Sequence, residues 1–289
     1  MIQIRKLSPS SFPSALREIA DPPKNLWLRG ELPDEKENIF LAVVGSRKYS
    51  RYGKDVCEKL ISGLSGYPIV IVSGLALGID AVAHRAAIDA GLKTLAVPGS
   101  GINPSVIHPR VNAMLAEEII SKGGALLSEF EPDFHATIWS FPQRNRIMAG
   151  LSKAVLVVEA EEKSGTLITA RLALDYNRDV LAVPGDIFSP NASGTNRLIR
   201  QGATPITTSE ELLSALGFNP EESGDNNLRE PNDATDAEQK ILKLLQEPVS
   251  REELFSESDM SIQEFNTTLS LLEIKGFIAE EMGEVRRKS

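Results

Sequence analysis

Ile69-Val70-Ile71-Val72-Ser73-Gly74-Leu75-Ala76-Leu77-Gly78-Ile79-Asp80 opens the stretch whose reading decides the fold, and residues 81–97 complete it. A short run of β-branched residues ending at Ser73-Gly74 reads as a strand buried on both faces. In residues 79–90 the apolar positions Ile79, Val82, Ala83, Ala86, Ala87 and Ala90 keep the i, i+3, i+4, i+7 spacing of a helix. All but Ile79 are Val or Ala, so that helix can lie close against a sheet. Asp80 is the expected N-cap and Gly91 the expected stop. A second apolar run at 94–97 closes a β-α-β unit.

The same alternation extends in both directions. Brief apolar runs at 39–44, 125–127, 154–159, 180–183 and 205–207 are separated by helical patterns. The expectation is an α/β protein with an extended Rossmann-like, doubly wound, mainly parallel sheet over residues 39–218. Residues 1–38 read as an N-terminal extension. Residues 219–235 turn to Pro, Glu, Asn, Asp and Gly, which predicts a flexible linker. Residues 236–289 read as a small winged-helix-like domain. One helix face there is Ala237, Ile241, Leu244 and Leu245; a capping box Ser261-Ile262-Gln263-Glu264 opens a second helix with Ile262, Phe265, Leu269 and Leu272 inward. Gly276 is the expected end of that helix, and a hairpin turning at Gly283 follows.

The 289 residues carry a formal net charge of −9. Residues 220–289 hold 17 acidic and 8 basic side chains, whereas the remainder holds 23 of each. The large body is therefore neutral, and its bulk charge argues neither for nor against a polyanionic partner. Cys57 is the only cysteine, which excludes a disulfide framework and a zinc site built from several cysteines. The N-terminus lacks the apolar core of a signal peptide, and no run approaches the ~20 apolar residues of a membrane span. A cytoplasmic protein without membrane contact is expected.

In an open parallel sheet, ligands bind beyond the carboxyl ends of the strands. The turns there are Gly45-Ser46-Arg47-Lys48, Ser73-Gly74, Pro98-Gly99-Ser100-Gly101, Ser128-Glu129 and Pro184-Gly185, with Lys163-Ser164-Gly165-Thr166 after the run at 154–159. Glycines admit a close ligand, helix N-termini offer free N–H groups to anions, and Arg47 offers a two-pronged fork for phosphate. Ser164 or Thr166 either caps the following helix or, with Lys163, cradles a phosphate. Arg144 and Arg146, in Phe141-Pro142-Gln143-Arg144-Asn145-Arg146, either contact phosphate or pair internally with Glu129 or Glu159; one of the two is expected to be structural. Asp80 and His84 share a helix side, and a capping Asp beside a hydrogen-bonded His is preferred to a catalytic pair.

Other chemistries find no support. No G-x-G-x-x-G opens a helix after the first strand, Gly53-Lys54 is followed by Asp55, and no G-x-S-x-G is present. His84, His108 and His135 show no ligand spacing, and no nucleophile–base pair assembles. No cofactor, metal or catalytic residue is predicted. The helix from Ile262 exposes Gln263, Glu264, Asn266, Thr267, Ser270, Glu273 and Lys275, a poor match to a duplex groove, so a protein contact is preferred for it.

Taken together, the turns resemble the DNA-processing protein A family (DprA, also called Smf). The resemblance is carried by Val44-Gly45-Ser46-Arg47, residues 73–84, 95–101, Ser128-Glu129-Phe130, 141–152, 157–170, Ala182-Val183-Pro184-Gly185 and Gly194-Thr195-Asn196-Arg197-Leu198-Ile199. It implies a dimeric Rossmann-like protein that binds single-stranded DNA and hands it to the RecA recombinase in natural transformation, without turnover. On that reading Arg47, Lys48, Arg144 or Arg146, and Lys163 contact the DNA backbone. Gly45, Ser46, Ser73, Gly74, Gly99, Ser164, Gly165 and Thr166 bring main-chain and hydroxyl groups to it. The helical domain many members carry upstream has no counterpart before the first strand; Glu131-Pro132-Asp133 replaces a usual Pro-Gly, and His108 a usual Tyr. The rival on the same fold is a nucleoside-monophosphate phosphoribohydrolase of the lysine-decarboxylase-like group. Its Pro-Gly-Gly-x-Gly-Thr-x-x-Glu motif has only Lys163-Ser164-Gly165-Thr166 as an echo, with Arg171 where the glutamate belongs.

Overall fold

A computed structural model describes residues 3–219, 235–245, 249–275, 277–281 and 284–287. The chain divides into two units, residues 1–220 and 221–289. Most of the linker expected at 219–235, the stop at Gly276 and the turn at Gly283 lie outside the described residues.

The first unit is built on a nine-stranded sheet. Its strands are β1 (Arg5–Lys6), β2 (Trp27–Gly30), β3 (Ile39–Val44), β4 (Ile69–Ser73), β5 (Lys93–Ala96), β6 (Ala125–Ser128), β7 (Ala154–Val157), β8 (Asp179–Ala182) and β9 (Thr204–Pro205). They lie in the order β1-β2-β6-β5-β4-β3-β7-β8-β9, parallel from β6 to β9, with β1 and β2 antiparallel at one edge. The expected doubly wound α/β sheet is present, and each predicted run overlaps a strand, the run at 205–207 only at Pro205.

Why the runs lack alternation is visible in β3. Phe40, Ala42 and Val44 pack on one face of the sheet while Leu41 and Val43 pack on the other, so both sides of the pleat are buried. Helices α1 (Ser14–Arg17), α2 (Arg51–Ser62), α3 (Ile79–Asp89), α4 (Ala113–Ser121), α5 (Ser140–Leu151), α6 (Thr166–Asp175), α7 (Ser193–Arg200) and α8 (Ser209–Ala215) cover the two faces. α2 and α3 bury Cys57, Leu60, Ile61, Ala83 and Ala87 on the Leu41 side; α5 and α6 bury Ile147, Met148, Ala170 and Ala173 on the Phe40 side.

Residues 1–38, read as an extension, supply two strands of this sheet. Trp27–Gly30 pairs with β6, and the buried Arg29 forms a bidentate pair with Glu117 at 2.7 Å for each bond. The N-cap of α3 is Gly78, at φ +87°, not Asp80; a Cβ there would meet the Ser46 carbonyl. Gly91, at φ +72°, does follow the helix end as expected.

The second unit holds α9 (Asp236–Leu244), β10 (Val249–Ser250), α10 (Arg251–Ser258), α11 (Ile262–Ile274), β11 (Ile278–Glu281) and β12 (Glu284–Arg287). Three helices and a three-stranded sheet in the order β10-β12-β11 make a winged helix. Ile241, Leu245, Phe265, Leu269 and Leu272 form its core. Ile262, expected inward, is 66% exposed, because it sits at the first helical position, one turn before Phe265. Ser261 accepts the Glu264 N–H at 3.3 Å, as a helix cap should.

Candidate nucleic-acid interface

The strand order sets the place of the site. β3 pairs with β4 on one side and β7 on the other. The chain leaves β3 towards α2 on one face and leaves β7 towards α6 on the opposite face, so the two exits diverge and open a crevice. A pocket of about 560 Å³ fills it.

Gly45, Ser46, Arg47 and Lys48 from the β3 exit line this pocket, as do Ser164, Gly165 and Thr166 from the β7 exit. The two loops are bonded to each other, since the Thr166 hydroxyl donates to the Gly45 carbonyl at 3.1 Å. Within its own turn Ser164 Oγ accepts the Thr166 N–H at 3.2 Å, so Ser164 shapes the entry to α6. The Ser46 hydroxyl accepts the Lys48 N–H at 3.1 Å and bends the first loop. Arg47 and Lys48 are exposed, and neither joins an ion pair among the described residues. The Arg47 guanidinium lies 5.2 Å from the centre of the Phe141 ring, and the His108 ring lies 5.7 Å from the same centre. Lys163 is exposed beside the rim, one residue before Ser164, and does not line the pocket.

The pocket floor holds two buried charged groups, Arg144 and Asp80, which influence each other electrostatically but form no salt bridge among the described residues. Arg144 is only 4% exposed and donates through Nη1 to the carbonyls of Gly74 and Val97. Any side chain on Gly74 would collide with that guanidinium. Asp80 accepts the N–H groups of Gly74 at 3.1 Å and Ala76 at 3.3 Å. Burial pushes the Asp80 carboxyl above the usual range, opposed first by the Arg144 charge; burial lowers Arg144 to about 10, opposed by Asp80. Asp80 therefore secures the loop before α3, where the sequence suggested a helix cap.

Several expected contacts lie elsewhere. Arg146 pairs with Glu129 and, at 3.3 Å, with Asp21, and does not line the pocket. Burial pushes Glu129 up despite that arginine. Both arginines are thus held by protein groups, where one was expected to be, and only Arg144 also borders the pocket. Ser73 is fully buried and donates to the Val43 carbonyl at 2.6 Å; Gly74 gives its N–H to Asp80; Gly99 lies against Phe141. None of the three lines the pocket: Ser73 and Gly74 spend a polar group on a protein partner, and Gly99 is packed under Phe141. Glu159 accepts from the N–H and hydroxyl of Ser50 instead of an arginine. His84 is buried with Nδ1 2.7 Å from Thr94 Oγ1, which fits the hydrogen-bonded histidine that was preferred.

Ile138, Phe141, Asn145 and Glu161 also line the pocket and were not singled out from sequence. Phe141 precedes Arg144 by three residues and Asn145 by four, so both share a helix side with Phe141, the one signal that was available for them.

The family model for DNA recombination-mediator protein A matches residues 3–217. The chain belongs to that family. A second model, the DprA winged helix domain, matches residues 228–284. Over 207 residues the chain is 46% identical to Protein Smf of Escherichia coli K12, covering 72% of this chain and 54% of that protein. It is 41% identical to DNA processing protein DprA of Bacillus subtilis 168 over 210 residues, covering 73% of this chain and 70% of that one. Solved relatives agree with this family assignment. The X-ray structure of DprA from Streptococcus pneumoniae superposes with a TM-score of 0.70 at 40% identity, covering 75% of this chain and 76% of that one. DprA of Helicobacter pylori, whose structure concerns that protein's single-stranded DNA binding mode, superposes with a TM-score of 0.66 at 32% identity, covering 74% and 96%. No described helix is long and apolar enough to cross a membrane.

Proposed function

We propose that this family member binds single-stranded DNA across the β3–β7 crevice and passes it to the RecA recombinase, as a homodimer, in the processing of incoming DNA during natural transformation. The observation that carries the reading is one pocket whose lining brings Arg47 and Lys48, neither in an ion pair among the described residues, together with the Ser164-Gly165-Thr166 turn at the start of α6. These cations and a loop–helix junction offer an anion site, and Phe141, whose ring already carries the Arg47 guanidinium, adds an aromatic wall for a base. A flexible strand can feed such a pocket one phosphate and one base at a time, which a base held in a duplex stack cannot do without unpairing. The Helicobacter pylori relative supports the choice of single-stranded DNA.

Binding without turnover is the reading we favour over a phosphoribohydrolase. No His or Cys lines the pocket among the described residues, and Arg171, exposed on α6, stands where that chemistry needs a carboxylate. A fluorescence-anisotropy titration with single- and double-stranded oligonucleotides at two ionic strengths tests the proposal. Preference for the single strand, weakening steeply with salt, is the expected result. Equal affinity for both forms, or release of free base from a nucleoside monophosphate at enzymatic rates, reverses it. RecA transfer is read separately, by whether the protein speeds filament growth on strands that are already coated.

A further inference from the structure

Two carboxylates border the pocket, and they differ in what they have left to give. Asp80 is bonded to the Gly74 and Ala76 amides and lies beside Arg144. Glu161 is exposed, and among the described residues its carboxylate enters no ion pair or hydrogen bond; only its main-chain carbonyl is used, accepting the Ser164 N–H at 3.0 Å. A free carboxylate in a site built only for phosphate would repel its ligand. In a pocket that Ile138 and Phe141 also line it has a different use, as a partner for the hydrogen-bonding edge of a base seated on those apolar side chains.

A carboxylate accepts and never donates, and it accepts best from two adjacent N–H groups. Guanine has such an edge, with N1–H next to the N2 amino group. Thymine sets its one N–H between two carbonyls that a carboxylate repels. Adenine and cytosine each place an amino group beside a ring nitrogen that also repels it.

We propose that Glu161 selects guanine, accepting N1–H and the N2 amino group while Arg47 holds a neighbouring phosphate. The inference rests on the single-strand reading above. Its test is competition against a labelled oligothymidylate, using oligothymidylates that carry isolated guanines, too sparse to form quadruplexes, and the same strands with inosine. The guanine strands bind about fivefold more tightly or better, the usual discrimination of a two-bond base contact. Inosine, which lacks the N2 amino group, returns most of that gain, and Glu161→Gln brings guanine and thymine strands to one affinity. Equal binding of guanine and thymine strands by the native protein, or a preference that survives in Glu161→Gln, overturns the guanine assignment alone. Absence of binding to every oligonucleotide removes the single-strand reading and this inference together.

Discussion

The Thr166 hydroxyl donates to the Gly45 carbonyl at 3.1 Å and so ties the exit of β7 to the exit of β3. The last backbone bond between the two strands runs from the Val158 N–H to the Val44 carbonyl at 3.0 Å, and beyond it the exits run to opposite faces. This side-chain bond spans the crevice where the Arg47 loop faces the start of α6.

Thr166→Val keeps the shape and deletes the bond. A loss of about 0.5–1.5 kcal/mol of stability is expected. Affinity for single-stranded DNA should fall as well, since the Arg47 loop loses its fixed distance from α6. A variant that melts slightly earlier yet binds as tightly as the native protein would show that the tie serves folding only.

Arg47→Ala should weaken binding uniformly across sequences, because a phosphate contact carries no base information. The slope of log K against log salt should flatten by about 0.7, the value for one phosphate on a single strand. A folded variant with unchanged affinity and slope takes Arg47 out of the site.

Arg144→Met strips the buried Asp80 of its counter-charge and leaves the Gly74 and Val97 carbonyls without that donor. Leaving two buried carbonyls short of a donor costs about 1–3 kcal/mol each, and the buried carboxylate loses the nearby charge that opposes its desolvation. Adding Asp80→Asn should recover part of the loss, so the double variant is more stable than the sum of the single effects implies. Strict additivity in chemical denaturation would mean that the two groups do not act as a pair.

His84 gives the fold a dependence on acid. Thr94 Oγ1 already donates to the Ile71 carbonyl at 2.8 Å, so it accepts from Nδ1–H of His84. Burial, aided by the nearby Arg144 charge, lowers the histidine from 6.5 to about 3. Below pH 6.5 the unfolded chain takes up a proton that the folded chain refuses, so stability falls as pH falls through that window. At pH 5 this histidine alone costs about 2 kcal/mol relative to neutral pH. Asp80 and Glu129, both raised, act with the opposite sign, so the test is a difference: His84→Gln should lose less stability than the native protein between pH 7 and pH 5. Parallel curves would dismiss the histidine as the source.

The strands were legible because burial on both faces leaves an uninterrupted apolar run, as at Ile69–Ser73, whatever surrounds it. The Gly45-Ser46-Arg47 turn was legible for a related reason. A loop that lines a crevice at a strand exit carries small residues, and here a cation, both visible in the local sequence. Trp27–Gly30 was not, since its place in the sheet depends on an edge offered by β6, nearly a hundred residues along the chain. Arg144 and Arg146 mark the same limit inside the site. Two residues apart on a helix, they project roughly 200° apart around its axis, so one enters the crevice and the other meets Glu129. Periodicity says that their directions differ; which direction holds the crevice was decided only when α5 docked on the sheet. Sequence alone determined the β-α alternation and the residue types at the strand exits, because these follow from local burial and backbone freedom. The tertiary structure decided which polar groups remain unspent, because a hydrogen bond to a distant partner leaves no trace in the residues beside it.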